Sequence, residues 1–205
     1  MPSQPTIEDM IDLTASVNRY FSDSARLITE TLPQLAGPTV SSARLIVASL
    51  MQGGRILCCG NGGSAALAEY FAALMLNRFD RERPALPALA LSSNSALLTG
   101  IPSSFDFDEL FARQVKGLGQ SKDLLLAICN GGDSENIHAA ILSAQEQKMG
   151  IITLSSGQNS RFSDLLGGDD IEIAVPECSQ ARTQELHLLV VHALCELIDQ
   201  QLMGS

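Results

Sequence analysis

Apolar residues recur at roughly helical spacing through Ile7, Met10, Ile11, Val17, Phe21, Leu27, Ile28 and Leu32, which predicts a long N-terminal helix. Thr6-Ile7-Glu8-Asp9 ahead of it has the form of a capping box, a hydroxyl followed three residues on by an acid. Gly37-Pro38 is expected to break that helix. A second helix is expected from about Pro38 to Gly53-Gly54, with Ile46, Val47, Leu50 and Met51 on its apolar face. After Arg55 the pattern changes to short apolar runs separated by helical segments: 56–59, 88–91, 124–128, 151–154 and 171–175. Several are apolar at consecutive positions instead of alternating, as strands buried on both faces are. The simplest arrangement is an α/β fold, a three-layer αβα sandwich around a parallel sheet of about five strands. Residues 38–205 are assigned to this sandwich. Residues 1–37 form a helical arm of the same domain, whose apolar stripe favours oligomerisation.

Ligands of such sheets bind beyond the carboxyl ends of the strands. The segments that follow the predicted strands are Gly60-Asn61-Gly62-Gly63-Ser64, Ser92-Ser93-Asn94-Ser95, Cys129-Asn130-Gly131-Gly132-Asp133-Ser134 and Ser155-Ser156-Gly157-Gln158. Glycines let the backbone approach an anion, and the helix behind each loop offers free N–H donors and the positive end of its dipole. Ser64 and Ser134 can each give a hydroxyl to a phosphate oxygen, or can simply cap their helices. Two loops of this kind at the ends of buried strands favour a phosphorylated ligand held by Gly60, Asn61, Gly62, Gly63, Ser64, Asn130, Gly131, Gly132 and Ser134. Neither a P-loop nor a GxGxxG dinucleotide fingerprint is present.

Composition narrows the classes further. The chain has 205 residues, is 45% hydrophobic and carries a formal net charge of -10. Direct nucleic-acid binding needs clustered Lys and Arg, and the densest basic stretch, Arg78 to Arg83, is interleaved with Asp80 and Glu82. No apolar run approaches the ~20 residues that span a bilayer, and the N-terminus lacks the pattern of a secretory signal. A cytoplasmic protein without membrane contact is expected. The five cysteines include no CxxC pair, so they are expected as core residues and no metal site is assigned.

Several separated stretches carry a resemblance: "ILCCGNGGSAA", "NRFDRERPALPALAL", "DLLLAI" before a glycine-serine loop, and "ARTQELHLLVVHALCELID". They resemble the sugar isomerase (SIS) domain family, and within it the phosphoheptose isomerases and the related DnaA initiator-associating proteins. The likeness runs from about Pro38 to Met203. It implies a homotetramer with a sugar-phosphate pocket at subunit contacts.

Position by position, the resemblance places the family's catalytic histidine at Tyr70 and its catalytic glutamate at Leu74. Gln184 and His192 match the family's glutamine and histidine of the last helix and are the remaining catalytic candidates. Where the family uses zinc, its ligands come from these four positions, so no cofactor is expected here unless the chain is an isomerase. Asp133 adds a negative charge to the second phosphate loop. Glu69, five positions from Leu74, His192 and Tyr70 are the residues that could substitute for the missing base. His187 is expected to be a packing residue, and His192 is placed four residues before Glu196, within pairing distance on a helix.

The loss of both positions leads to the expectation of a non-catalytic SIS-domain protein that binds the replication initiator DnaA and regulates initiation of chromosome replication. The alternative is a sedoheptulose 7-phosphate isomerase supplying heptose for the cell envelope. A third reading is a sugar-phosphate sensor without turnover.

Overall fold

The computed structural model describes residues 12–131, 134–157 and 162–204. The Thr6–Asp9 capping box, Gly132, Asp133 and Gln158 lie outside them. Helix α1 runs from Leu13 to Met51, and Asp12 caps it by accepting from the Ala15 N–H at 2.9 Å. It continues through Pro33 and Pro38, so the expected break at Gly37-Pro38 is corrected. A proline inside a helix removes one hydrogen bond. Here burial outweighs that loss: Leu35, Thr39, Ser42, Ala43, Ile46 and Ser49 form one buried stripe across the proline. Thr39 also returns its hydroxyl to the Leu35 carbonyl at 2.7 Å.

The remaining elements alternate as the apolar runs predict. They are β1 (Ile56–Gly60), α2 (Gly63–Leu76), β2 (Ala88–Ala90), α3 (Ser95–Ser104), α4 (Glu109–Leu118), β3 (Leu124–Ile128), α5 (Glu135–Glu146), β4 (Gly150–Ser156), β5 (Ile171–Val175) and α6 (Gln180–Met203). All strand pairs are parallel and the order is β2-β1-β3-β4-β5. Ile56, Cys58, Leu124, Leu126, Ile128, Ile152 and Leu154 face a core shared with α1, α2 and α6. Their neighbours Leu57, Cys59, Leu125, Ala127, Cys129 and Ile151 face a second core with α3, α4 and α5. Alternate residues thus serve opposite layers, which is why the strands read as unbroken apolar runs. Cys58, Cys59, Cys129 and Cys195 are buried free thiols, as expected.

Two buried polar features tie α6 to the sheet and to α2. His187 donates from Nε2 to the Ser155 carbonyl at 3.1 Å, while its Nδ1 has no partner. Burial pushes its pKa down to about 4, against the weaker upward pull of that carbonyl. The folded pKa therefore lies below the unfolded value of 6.5. The unfolded chain takes up the proton first as pH falls, so stability is full above pH 6.5 and declines toward pH 4. The expected loss is about 3 kcal/mol. Urea unfolding of wild type and His187→Gln at pH 7 and pH 4.5 checks it, and the variant should lack this part of the acid sensitivity.

The second feature is Arg83, which pairs with Asp199 at 2.6 Å with both side chains fully buried. Arg81 lies 3.8 Å from Glu196. Both arginines of the "DRERP" run thus pair with acids of α6.

Candidate functional site

The strand order reverses direction between β1 and β3, and the crevice beyond their carboxyl ends is where such sheets take ligands. The two glycine loops leave the sheet at this point. Gly62 has a φ of 55°, a left-handed conformation that favours glycine. A side chain on Gly63 would overlap the Gln184 amide, so this glycine leaves room for the amide beside the first loop. The Ser64 hydroxyl is buried and has no hydrogen-bond partner, and Ser64 lies one residue inside α2 instead of at its cap. A buried hydroxyl without a partner costs free energy unless a ligand satisfies it.

Asn61 also forms a side-chain clasp. Its amide exchanges two hydrogen bonds with the Asn136 amide, at 2.8 and 2.9 Å. Both oxygens of this pair are engaged, and the pair ties the first loop to the start of α5. Asn136 is buried, and sequence reasoning missed it; two asparagines far apart in sequence give no local signal. In the second loop Asn130 is half-buried and Gly131, at φ 103°, is exposed. Ser134 sits at the N-cap position of α5 but makes no capping bond, and the Cys129 thiol lies 3.6 Å from its hydroxyl.

Below the first loop, α2 and α6 enclose an open cleft of about 570 Å³. Its lining includes Gly63, Tyr70, Gln184, Glu185 and His192. Gln184 and His192 are eight residues apart on α6, about 80° from each other around its axis, and both line the cleft. Ser179 caps α6 by accepting from the Arg182 N–H at 3.4 Å. Tyr70 Oη lies 3.2 Å from His192 Nε2. The His192 ring also packs against Phe79, with centroids 5.5 Å apart. Glu196 does not pair with His192; it receives the Gln200 amide at 2.7 Å. Leu74, one turn beyond Tyr70, is half-buried against the core.

Neither carboxylate near the cleft is placed as a free base. Glu69 is outside the lining and accepts from Ser92 at 2.9 Å. Glu185 accepts from Ser24, Arg182 and Tyr20 at 2.8, 2.9 and 3.2 Å. Partial burial pushes the Glu185 carboxyl up, but those hydrogen bonds together outweigh it and hold the group below its usual range.

The fold and this cleft together define a class. The model of the SIS domain family matches residues 19–156, and the chain belongs to that family. Its subfamily is that of the phosphoheptose isomerases. The chain is 43% identical to a phosphoheptose isomerase of Aromatoleum aromaticum over 95% of its length and 98% of the relative's. Among solved structures it is similar to a phosphoheptose isomerase from Francisella tularensis, with a TM-score of 0.88 and 39% identity. That match covers 93% of this chain and 100% of the other. The corresponding protein from Neisseria gonorrhoeae gives 0.85 and 38%, over 92% of this chain and 100% of the other.

These relatives overturn the expectation of a non-catalytic, DnaA-binding regulator of replication. Resemblance across nearly the whole of both chains is to proteins named as isomerases, and none of it supports a replication role. Weighing two substituted positions above the rest of the chain produced the error. No helix among the described residues is long and apolar enough to cross a membrane.

Proposed function

We propose that the chain is an aldose–ketose isomerase of phosphorylated sugars, with sedoheptulose 7-phosphate as the ketose substrate that the family resemblance implies. The observation that carries this reading is the convergence of Tyr70, Gln184 and His192 on one cleft beside Gly63 of the first glycine loop, in a chain 43% identical to phosphoheptose isomerases. The glycine loops and Ser64 take the phosphate. The Gln184 amide donates to and accepts from substrate hydroxyls. His192 takes a proton from the carbon beside the carbonyl while Tyr70 gives its proton to the carbonyl oxygen, leaving an enediol. His192 then returns a proton to the former carbonyl carbon while Tyr70 takes one from the neighbouring hydroxyl oxygen. Tyr70 hydrogen-bonds the substrate oxygen whose charge changes.

The Leu74 side chain supplies no carboxylate, so turnover should be slower than in relatives that retain one, by ~10²–10⁴-fold. The test is to incubate the protein with sedoheptulose 7-phosphate and follow formation of the aldose phosphate. Slow conversion supports the reading, and none over long incubation at high enzyme concentration contradicts it.

We also propose a homotetramer. An apolar groove of about 340 Å³ between α1 and α6 is lined by residues including Leu32, Leu35, Leu189 and Val190. Leu32 and Leu189 are exposed in the single chain. A second copy offering the same surface would cover it. Light scattering should give the mass of four chains for wild type, and a smaller species for Leu189→Glu.

A further inference from the structure

The resemblance to phosphoheptose isomerases implies a zinc ion held at four positions, which here carry Tyr70, Leu74, Gln184 and His192. Zinc sites draw their donors from imidazole, thiolate and carboxylate. Leu74 has no donor atom. Tyr70 offers a phenol oxygen, which is not among those donors. Gln184 offers an amide oxygen, a ligand better suited to harder cations. Only His192 is a good zinc ligand, and one imidazole does not make a site. No cluster of three or more His, Cys, Asp or Glu able to hold a metal occurs among the described residues. The donor set does not fit zinc.

The structure shows what His192 does instead. Its Nε2 lies 3.2 Å from the Tyr70 hydroxyl, and its ring meets Tyr70 edge-on and Phe79 at a tilt of 36°. The ring is thus held by two aromatic neighbours and one hydrogen bond. Its Nε2 is the nitrogen that meets the Tyr70 hydroxyl.

We infer that this cleft is metal-free by construction: the group beside His192 Nε2 is the Tyr70 hydroxyl, with no second imidazole and no carboxylate to complete a zinc donor set, and positions 70 and 74 decide it. Tyr70 and Leu74 are four residues apart on α2, one turn along the same face. A histidine at position 70 and a carboxylate at position 74 would add two donors of the kinds zinc takes to His192 and Gln184. The inference rests on the cleft being the family site, as proposed above, but not on turnover.

The experiment measures zinc per chain by elemental analysis after equilibration with zinc and dialysis, with melting temperatures alongside. Wild type, His192→Ala and the double variant Tyr70→His/Leu74→Glu are compared. Wild type is expected to retain far less than one zinc per chain and to melt at the same temperature with and without zinc. The double variant is expected to retain about one zinc per chain and to melt higher with zinc, because binding to the folded state alone stabilises it. Zinc retained equally by wild type and His192→Ala lies elsewhere and leaves the inference standing.

Stoichiometric zinc in wild type that is lost in His192→Ala overturns it. So does a double variant with wild-type circular dichroism that takes up no zinc. If the double variant does not fold, the wild-type and His192→Ala pair still decides. A metal-free cleft without turnover would sink only the isomerase reading, and a zinc-bearing cleft with turnover only this one.

Discussion

Leu74→Glu is expected to raise the rate of aldose–ketose interconversion by ~10²–10⁴-fold, the contribution typical of one positioned acid or base. Position 74 lies one turn beyond Tyr70 on α2, so a carboxylate there stands one turn from the residue that meets His192. The substitution has a cost. Leu74 packs against the core, and replacing it by a charged side chain should destabilise the fold by about 1–3 kcal/mol. Steady-state kinetics with sedoheptulose 7-phosphate, alongside a thermal melt, separates the two effects. A folded variant no faster than wild type would show that Leu74 is not where the missing base belongs.

Arg83→Ala is expected to cost about 3–5 kcal/mol of stability, the range for breaking a buried ion pair from one side. Arg83 does more than neutralise Asp199. Its guanidinium donates to the Leu74, Met75 and Pro84 carbonyls at 2.9, 2.8 and 3.1 Å. It thereby satisfies carbonyls at the C-terminal end of α2 that have no partner within the helix. Removing it leaves the Leu74 carbonyl and the buried Asp199 carboxylate without this partner, while the Met75 carbonyl keeps the Leu86 N–H at 2.9 Å, and Asp199 Oδ2 already has no partner. Urea unfolding measures the loss. The double variant Arg83→Met/Asp199→Leu should recover most of it, because matched apolar side chains leave no buried charge behind. Arg83 also fixes the end of α2 against α6, so Arg83→Ala should loosen the Tyr70–His192 contact.

The sheet was legible because its strands are buried on both faces. Each run from Ile56 to Val175 lies close to where the structure places a strand, and the glycine loops fall at the switch point. The continuity of α1 was also written in the chain, in the spacing of Leu35, Thr39, Ser42 and Ile46 across Pro38. The reading failed there because a proline was weighed above a buried stripe, and tertiary packing outweighs one lost hydrogen bond. The Asn61–Asn136 clasp, the packing of Phe79 on His192 and the Arg83–Asp199 pair were illegible for a different reason. Each joins residues far apart in sequence, and no local pattern records such a contact. The substitutions at positions 70 and 74 were visible in the sequence. Their meaning was not, because the partner that Tyr70 finds on α6 is set by the packing of two helices.

The central claim is that His192 moves a proton between adjacent carbons of a bound sugar phosphate. Incubation with sedoheptulose 7-phosphate in deuterium oxide, followed by NMR, tests it most directly, because a proton held on an imidazole exchanges with solvent. Wild type should place deuterium on the carbon next to the carbonyl of recovered ketose, and His192→Ala should not. Recovered sugar free of carbon-bound deuterium after incubation with wild type would contradict the account.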